Sequence, residues 1–124
     1  MVKFNRDDVS SITILRVDRG EIRVGDARIT SDVALLCDDV ILDYPIAAIE
    51  DLTEADLEPI LSGTPEIVIL GTGWRAQRPP RDLVFALARR GIGFESMDTP
   101  AACRTFNILI GEGRRAAVLL KLSD

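Results

Sequence analysis

Histidine is absent from this chain, and its absence restricts the chemistry that the protein can perform. Without histidine there is no Ser-His-Asp or Cys-His nucleophile pair, no histidine-bearing zinc site and no ordinary general base near neutral pH. No other catalytic constellation is recognisable in the sequence. We therefore expect a non-enzymatic protein without a cofactor, while catalysis by other side chains stays open.

Aromatic residues and long apolar runs are also scarce. Only 5% of the residues are aromatic and the net charge is −5, which argues against nucleic acid as a partner. No apolar run approaches the roughly 20 residues that a membrane-spanning helix needs. The amino-terminal "MVKFNRDDVSS" lacks the apolar core of a signal peptide and is too acidic for a typical transit peptide. We expect a cytoplasmic protein.

Cysteine occurs only twice, as Cys37 and Cys103, far apart in the chain. Such a pair in an intracellular protein is typical of buried thiols rather than of a disulfide. Two pairs of neighbouring acids, Asp7–Asp8 and Asp38–Asp39, resemble metal ligands, but adjacent acids are common in tight turns that hold no ion. We predict no metal site.

Charge is distributed unevenly along the chain. Residues 1–70 carry six basic and fifteen acidic side chains, whereas residues 71–124 carry nine basic and five acidic ones. Thirteen of the fifteen bases are arginine, whose planar guanidinium suits carboxylate or phosphate partners. The basic second half is therefore the place to look for a binding surface, unless its arginines only pair with the acidic first half.

The first half reads as short strands separated by turns. The segments "SITILRV", "EIRV", "ARIT", "DVALLC" and "VILDY" alternate with glycine- and aspartate-bearing turns. We expect these strands, between residues 11 and 44, to form one small antiparallel layer. No linker or repeat interrupts the sequence, so we expect residues 1–124 to form a single domain.

The second half alternates helices with strands. Thr53 is expected to cap a helix that ends near Ser62–Gly63, and Pro79–Pro80 precede a helix with Leu83, Val84 and Leu87 on its inward face. A further helix begins at Asp98–Thr99–Pro100 and runs to about Gly111. The strands "EIVIL", "GFESM" and "AAVLLKL" alternate with these helices. This order predicts an α/β fold with parallel neighbouring strands.

The segment "GTGWRA", residues 71–76, follows the first of these strands and matches the G-x-G-x-x-G/A pattern of dinucleotide-binding loops. In that fold a helix begins directly after the glycines, whereas here Pro79–Pro80 delay it. No Lys-Ser or Lys-Thr follows, which excludes a P-loop. The pattern therefore favours a tight turn over a nucleotide site.

The same loop nevertheless predicts a ligand-facing edge. Ligands of open α/β sheets lie beyond the carboxyl ends of parallel strands, and residues 71–78 and 97–99 follow two such strands. Arginines in these loops and a helix start would attract an anion or a partner. The candidate residues of this rim are Gly71, Thr72, Gly73, Trp74, Arg75, Arg78, Asp98, Thr99 and Arg104.

Three segments carry a family likeness: "EIVILGTG", "LARRGIGFESMDTPAACRTFNIL" and "GEGRRAAVLL". They closely resemble the Mth938-domain family of unknown function, which includes the mitochondrial NADH dehydrogenase (complex I) assembly factor 3 and the adipogenesis-associated Mth938-domain protein. The likeness spans Glu66 to Leu122, and "ARITSDVALL" matches more loosely. It implies a three-layer α/β fold with a central mixed sheet, flanking helices and a small antiparallel β layer.

The resemblance also implies a role in protein contact, because the mitochondrial member assists assembly of a respiratory complex and no reaction is established for the family. Our leading hypothesis is a binding or assembly-assisting domain that uses the rim to contact an unknown protein partner. The alternative is binding or turnover of a small anionic metabolite at the same arginine-rich crevice. Self-association through a strand edge is a third possibility.

Four side chains near the rim keep two interpretations each. Trp74 is an exposed interface anchor or is folded back over the helix start. Arg104 reaches an anion at the rim or bonds to Asp98 or a strand end. Cys103 lies near a helix start, which favours a reactive thiol, but its apolar neighbours favour an inert one. Asn107 bonds a backbone group or a substrate.

Overall fold

The computed structural model describes residues 12–46 and 48–123 of the 124-residue chain. The Asp7–Asp8 pair therefore lies outside the described residues. Strands β1 to β5 come first, followed by two 3₁₀ turns, Ile49–Asp51 and Ala55–Leu57. The five strands are β1 Ile14–Asp18, β2 Glu21–Val24, β3 Ala27–Ile29, β4 Val33–Leu36 and β5 Val40–Leu42.

The second part alternates helices and strands, as its sequence predicts. A single helical turn precedes the first of these strands, and two longer helices separate the others. Their bounds are α1 Glu58–Leu61, β6 Ile67–Gly71, α2 Arg81–Arg89, β7 Gly93–Met97, α3 Thr99–Gly111 and β8 Ala116–Leu120.

The strands form two sheets. The larger has the order β5-β4-β8-β6-β7, in which β6 is parallel to both β7 and β8, whereas β4 is antiparallel to β5 and β8. The smaller sheet is the antiparallel meander β1-β2-β3. The expected single layer from residues 11 to 44 is therefore wrong in part: β4 and β5 join the central sheet, where all four residues of β4 are buried.

Two hydrophobic clusters lie on opposite faces of the central sheet. On one face, Ile69 and Val118 pack in a cluster with α3 and the small sheet. On the other, Val68 and Leu70 pack in a cluster with α1 and α2. Consecutive residues of β6 point to opposite faces. A strand buried on both sides is therefore apolar throughout, which is what "IVIL" shows.

Two local expectations are wrong. The helix expected from Thr53 is broken into the turn Ala55–Leu57 and the single turn α1, because Pro59 has no N–H to continue an upstream helix. Thr53 and Asp56 still bond reciprocally, backbone to side chain, at 2.9 and 3.3 Å. In α2, Ala86 rather than Val84 is buried beside Leu83 and Leu87.

Candidate functional site

Strands β6 and β7 bring the two predicted loops to one edge of the central sheet. Gly71 is the register partner of Met97, so the chain leaves both strands at the same level. The Thr72 N–H donates to the Met97 carbonyl at 2.9 Å, which extends the pairing by one residue. The expectation that residues 71–78 and 97–99 share one edge is therefore correct.

Thr99 ties the glycine loop to the start of α3. Its side-chain oxygen accepts from the Gly73 N–H at 2.9 Å and donates to the Lys121 carbonyl at 2.7 Å. Its own N–H donates to the Gly73 carbonyl at 2.7 Å. Because Thr99 is fully buried, these three bonds connect the loop, the helix and the end of β8 in a place without competing solvent.

The hydroxyl of Thr72 closes the other half of the loop. It lies 2.7 Å from the Arg75 carbonyl and 3.2 Å from the Met97 carbonyl, and it accepts from the Gln77 N–H at 3.2 Å. The Gln77 side chain lies 3.4 Å from the Thr72 carbonyl. Residues 72–77 are thus folded around one buried hydroxyl, which explains why a short polar side chain stands between the two glycines.

Both glycines serve the packing of the chain itself. Gly73 has a φ of +97°, which side chains rarely adopt. At Gly71 a Cβ atom would lie 2.9 Å from a Leu120 methyl and 3.1 Å from the Thr99 hydroxyl. Gly71 is therefore needed because neighbouring side chains leave no room for a Cβ atom, and Gly73 because of its backbone conformation. A bound phosphate is not needed to explain either glycine.

The start of α3 has no free donor for an anion. The Asp98 carboxylate accepts from the Ala101 N–H at 2.9 Å, Thr99 donates to the glycine loop, and Pro100 has no N–H. A helix start binds phosphate through its backbone N–H groups, and in α3 these groups are already bonded within the protein. An anion at this rim would therefore find no backbone donor at the start of α3.

Side chains around Trp74 enclose a small cavity at the rim. It measures about 260 Å³ and is lined by Arg19, Thr72, Trp74, Arg75 and Gln77. The Arg19 guanidinium lies 5.9 Å from the centroid of the indole ring, within the range of a cation–π contact. Trp74 is half-buried, so it is not the fully exposed anchor that one interpretation expected.

Arg19 is the site residue that the sequence does not reveal. It lies in the turn between β1 and β2 and reaches Trp74 only because the small sheet packs beside α3. Its turn sequence, Asp18-Arg19-Gly20, carries no mark of a binding residue. A contact between residues so far apart in sequence is set by tertiary packing.

The remaining predicted arginines are exposed. Arg78 lies in the loop before α2 and Arg104 on the solvent side of α3. Within residues 12–46 and 48–123, no hydrogen bond or ion pair joins either guanidinium to another group, so the two bonds considered for Arg104 are not formed. The structure brings together Gly71, Thr72, Gly73, Asp98 and Thr99, with Trp74 and Arg75 beside them.

Cys103 and Asn107 have structural surroundings. Burial raises the pKa of the Cys103 thiol to about 12, and the nearby Arg104 charge offsets this only in part. A neutral thiol is a poor nucleophile. The Asn107 carboxamide accepts from the Ile14 N–H at 2.9 Å and donates to the Ile14 carbonyl at 2.8 Å, so it bonds backbone as one interpretation expected.

The described residues contain neither a candidate metal centre nor a candidate membrane-spanning helix. No group of three Cys, Asp or Glu side chains there could hold a metal ion. None of the helices in the same part of the chain combines the length and apolarity that crossing a membrane would require.

A family model described as "Protein of unknown function (DUF498/DUF598)" matches residues 14–121. Among curated proteins, the chain is 39% identical over 93 residues to the Bos taurus NADH dehydrogenase (ubiquinone) 1 alpha subcomplex assembly factor 3, covering 70% of this chain and 48% of that protein. It is 30% identical over 82 residues to a Francisella tularensis protein named "13 kDa major membrane protein", covering 64% and 67%. The chain thus spans about half the length of the assembly factor.

Among solved structures, the solution structure of a Bordetella pertussis protein described as a Mth938-like domain superposes with a TM-score of 0.78 at 27% identity. The superposition covers 100% of this chain and 94% of that one. Together with the assembly-factor relatives, it confirms the family resemblance and the α/β fold predicted from the sequence.

Proposed function

Because this chain belongs to the DUF498/DUF598 family of proteins of unknown function, we propose that it is a non-enzymatic binding domain that assists protein assembly. In this proposal it contacts a protein partner through the glycine-loop rim. We define the rim as the nine residues predicted from the sequence, Gly71, Thr72, Gly73, Trp74, Arg75, Arg78, Asp98, Thr99 and Arg104, together with Arg19.

Relatives of the chain support a role in assembly. The bovine relative is named as an NADH dehydrogenase (ubiquinone) 1 alpha subcomplex assembly factor, and the similarity covers 70% of this chain. Less than half of that protein is covered, so its own partner is not assigned to this chain. What we carry over is the general activity, which is contact with another protein.

The observation that carries the proposal is that buried hydrogen bonds restrain the loop that bears Trp74 and Arg75. The hydroxyls of Thr72 and Thr99 bond backbone groups of this loop and of the neighbouring chain segments. A surface that is already ordered loses little conformational entropy on binding. Tryptophan and arginine are also the side chains most enriched among residues that dominate binding energy.

The charge of the rim indicates the chemistry of the partner. Arg75, Arg78 and Arg104 are exposed, and Arg19 stands over Trp74. The one rim carboxylate, on Asp98, is engaged with the start of α3. Guanidinium groups bind carboxylates in a bidentate manner, so the proposed protein partner presents an acidic surface.

Site-specific photocrosslinking in cells tests this proposal. A photoreactive phenylalanine analogue at position 74 or 75 is expected to capture one dominant protein, whereas the analogue at Arg23, exposed on the small sheet, is not. With that partner purified, Arg75→Glu should weaken binding by about tenfold or more, and the charge-matched Arg23→Glu should have little effect. Equal capture at position 23 would contradict the proposal.

A second candidate is binding of a small anionic metabolite in the rim cavity. The observation in its favour is that Arg19 and Arg75 both line this 260 Å³ space. It offers no helix-start amide to the anion, so we expect weak binding at best. Isothermal titration with nucleotides, phosphates and dicarboxylates at millimolar concentration tests it, and submillimolar affinity lost in Arg75→Glu would favour it.

Two further expectations concern the location of the protein and its oligomeric state. We place the protein in the cytoplasm, and fractionation that recovers it with membranes, as the name of the Francisella relative suggests for that protein, would contradict this placement. Self-association through a strand edge is a further expectation. Light scattering that shows a monomer at every concentration would remove it.

A further inference from the structure

A second concave surface lies between the turn Ile49–Asp51 and helix α2. It measures about 530 Å³, roughly twice the volume of the rim cavity, and shares no lining residue with that cavity. Its base is apolar and includes Leu52, Leu83 and Ala86. Its charged lining residues are Glu50, Asp51, Glu54, Asp82 and Arg89, and we call this surface the acidic groove.

Most of the groove's carboxylates form no ion pair with the residues that the structure describes. Glu54 bonds the Arg90 guanidinium at 3.0 Å. Among the residues that the structure describes, Glu50, Asp51 and Asp82 form no ion pair. Like charges gathered along one low-dielectric cleft raise its negative potential and attract cations.

The arrangement of these carboxylates argues against a metal ion as the occupant. A divalent cation needs several oxygen ligands within about 2.5 Å of one point. In the described part of the chain, no three acidic or cysteine side chains converge in this way. The groove therefore fits positive charges that are spaced apart, as they are along a peptide.

An exposed aromatic side chain lies along the same helix. Phe85 is 55% exposed, which is unusual for so large an apolar residue. It is three residues after Asp82 and four before Arg89, both of which line the groove, and this spacing places the three side chains on adjoining parts of the helix surface. A partner that reached the acids would also meet an apolar contact.

We propose that the acidic groove binds a basic segment of a partner protein, in which lysine or arginine residues flank an apolar one. The basic residues face Glu50, Asp51 and Asp82, and the apolar residue packs against Phe85. Because Arg89 is the one cation in the lining, the segment's positive charge lies toward the Asp82 end. This surface is separate from the glycine-loop rim and does not depend on the function proposed for it.

Messenger RNA display identifies the preferred segment. A random library of 12-residue peptides, each linked to its own messenger RNA, is selected for binding to the full chain. We expect enriched peptides to carry net positive charge and a large apolar residue. The most abundant one is then synthesised with a fluorophore, and its affinity is measured by anisotropy.

Two matched triple variants locate the binding surface. Glu50→Gln, Asp51→Asn and Asp82→Asn together should weaken binding by about tenfold or more. Asp26→Asn, Glu95→Gln and Glu112→Gln remove the same charge from exposed carboxylates elsewhere and should change the affinity by less than about twofold.

Two single variants should change the peptide affinity in ways that a folding defect would not produce. Arg89→Gln should tighten binding, because it removes the cation that opposes the peptide's charge. Phe85→Ala should weaken binding without changing its salt dependence.

Three results would overturn the proposal. The first is enrichment of acidic or neutral peptides, or of none. The second is an equal loss of affinity in the two triple variants, which would indicate attraction by net charge alone. The third is displacement of the peptide by spermine at an equal concentration, which would identify a site for small polycations instead.

Discussion

Replacing Thr99 by valine should loosen the glycine loop more than any other change of similar size at the rim. Valine keeps the shape of threonine but has no hydroxyl. The Gly73 N–H then loses its acceptor at 2.9 Å and the Lys121 carbonyl loses its donor at 2.7 Å. Both groups surround a fully buried side chain, where water cannot replace the lost bonds.

The size of the effect follows from these two unsatisfied groups. A buried donor or acceptor without a partner costs about 1–3 kcal/mol, and removal of the hydroxyl's own desolvation offsets about 1 kcal/mol. We therefore expect Thr99→Val to lower the free energy of unfolding by about 1–5 kcal/mol. For a domain of this size, that corresponds to a fall in Tm of about 4–20 °C.

Urea denaturation and hydrogen exchange measure this prediction. Thr99→Ser keeps the hydroxyl and should lose only about 1 kcal/mol through the missing methyl group. Thr105→Val is the control, since that half-buried hydroxyl donates to the Ala101 carbonyl of its own helix and should contribute less than about 1 kcal/mol. In Thr99→Val the Gly73 amide should also exchange faster. If Thr99→Val were no more destabilising than Thr105→Val, the proposed interlock would be wrong.

Four further predictions concern the glycine loop, the two cysteines and Asn107. Gly71→Ala should lower the free energy of unfolding by about 1–3 kcal/mol in thermal melts, because its Cβ would overlap three side-chain atoms, whereas Gly111→Ala meets open space and should be neutral or stabilising. A maleimide at pH 8 should label Cys37 but not the buried Cys103, and equal labelling of both would contradict the assigned burial. The Cys103 pKa is raised from 9.0 to about 12, so as the pH rises the thiol ionises in the unfolded chain before it does in the folded one. The free energy of unfolding should therefore be retained below about pH 9 and fall by up to about 1.4 kcal/mol per pH unit toward pH 12. Cys103→Ala should reduce this slope. Asn107→Leu should cost about 2–3 kcal/mol in urea, since both backbone groups of Ile14 lose their partner, and an unchanged midpoint would refute that role.

Local signals predicted the second half of the fold well. The proline pair before α2, the glycine after it and the aspartate at the start of α3 act within one helical turn, so they are visible in sequence. Strands β6 and β8 are apolar throughout, which predicts a strand buried on both faces of its sheet, and both strands are buried in this way. The shared edge of the two loops followed from parallel pairing.

Other features were invisible because they depend on distant partners. Strand β4 joins the central sheet by pairing with β8, near the end of the chain, and β5 joins it by pairing with β4. The helix expected at Thr53 is a different case, because Pro59, which interrupts it, is local and visible in the sequence.

The sequence by itself determined the order of most helices and strands and the absence of chemistry that needs histidine. It also determined the edge of the sheet at which residues 71–78 and 97–99 meet. Tertiary structure alone decided how those loops are used: the buried Thr99 hydroxyl bonds the glycine loop to the end of β8, and Arg19, from the turn between β1 and β2, lies over Trp74. The physical reason is that helix and strand signals act over a few neighbouring residues, whereas the satisfaction of a buried polar group depends on whichever atoms the completed fold places within about 3 Å of it.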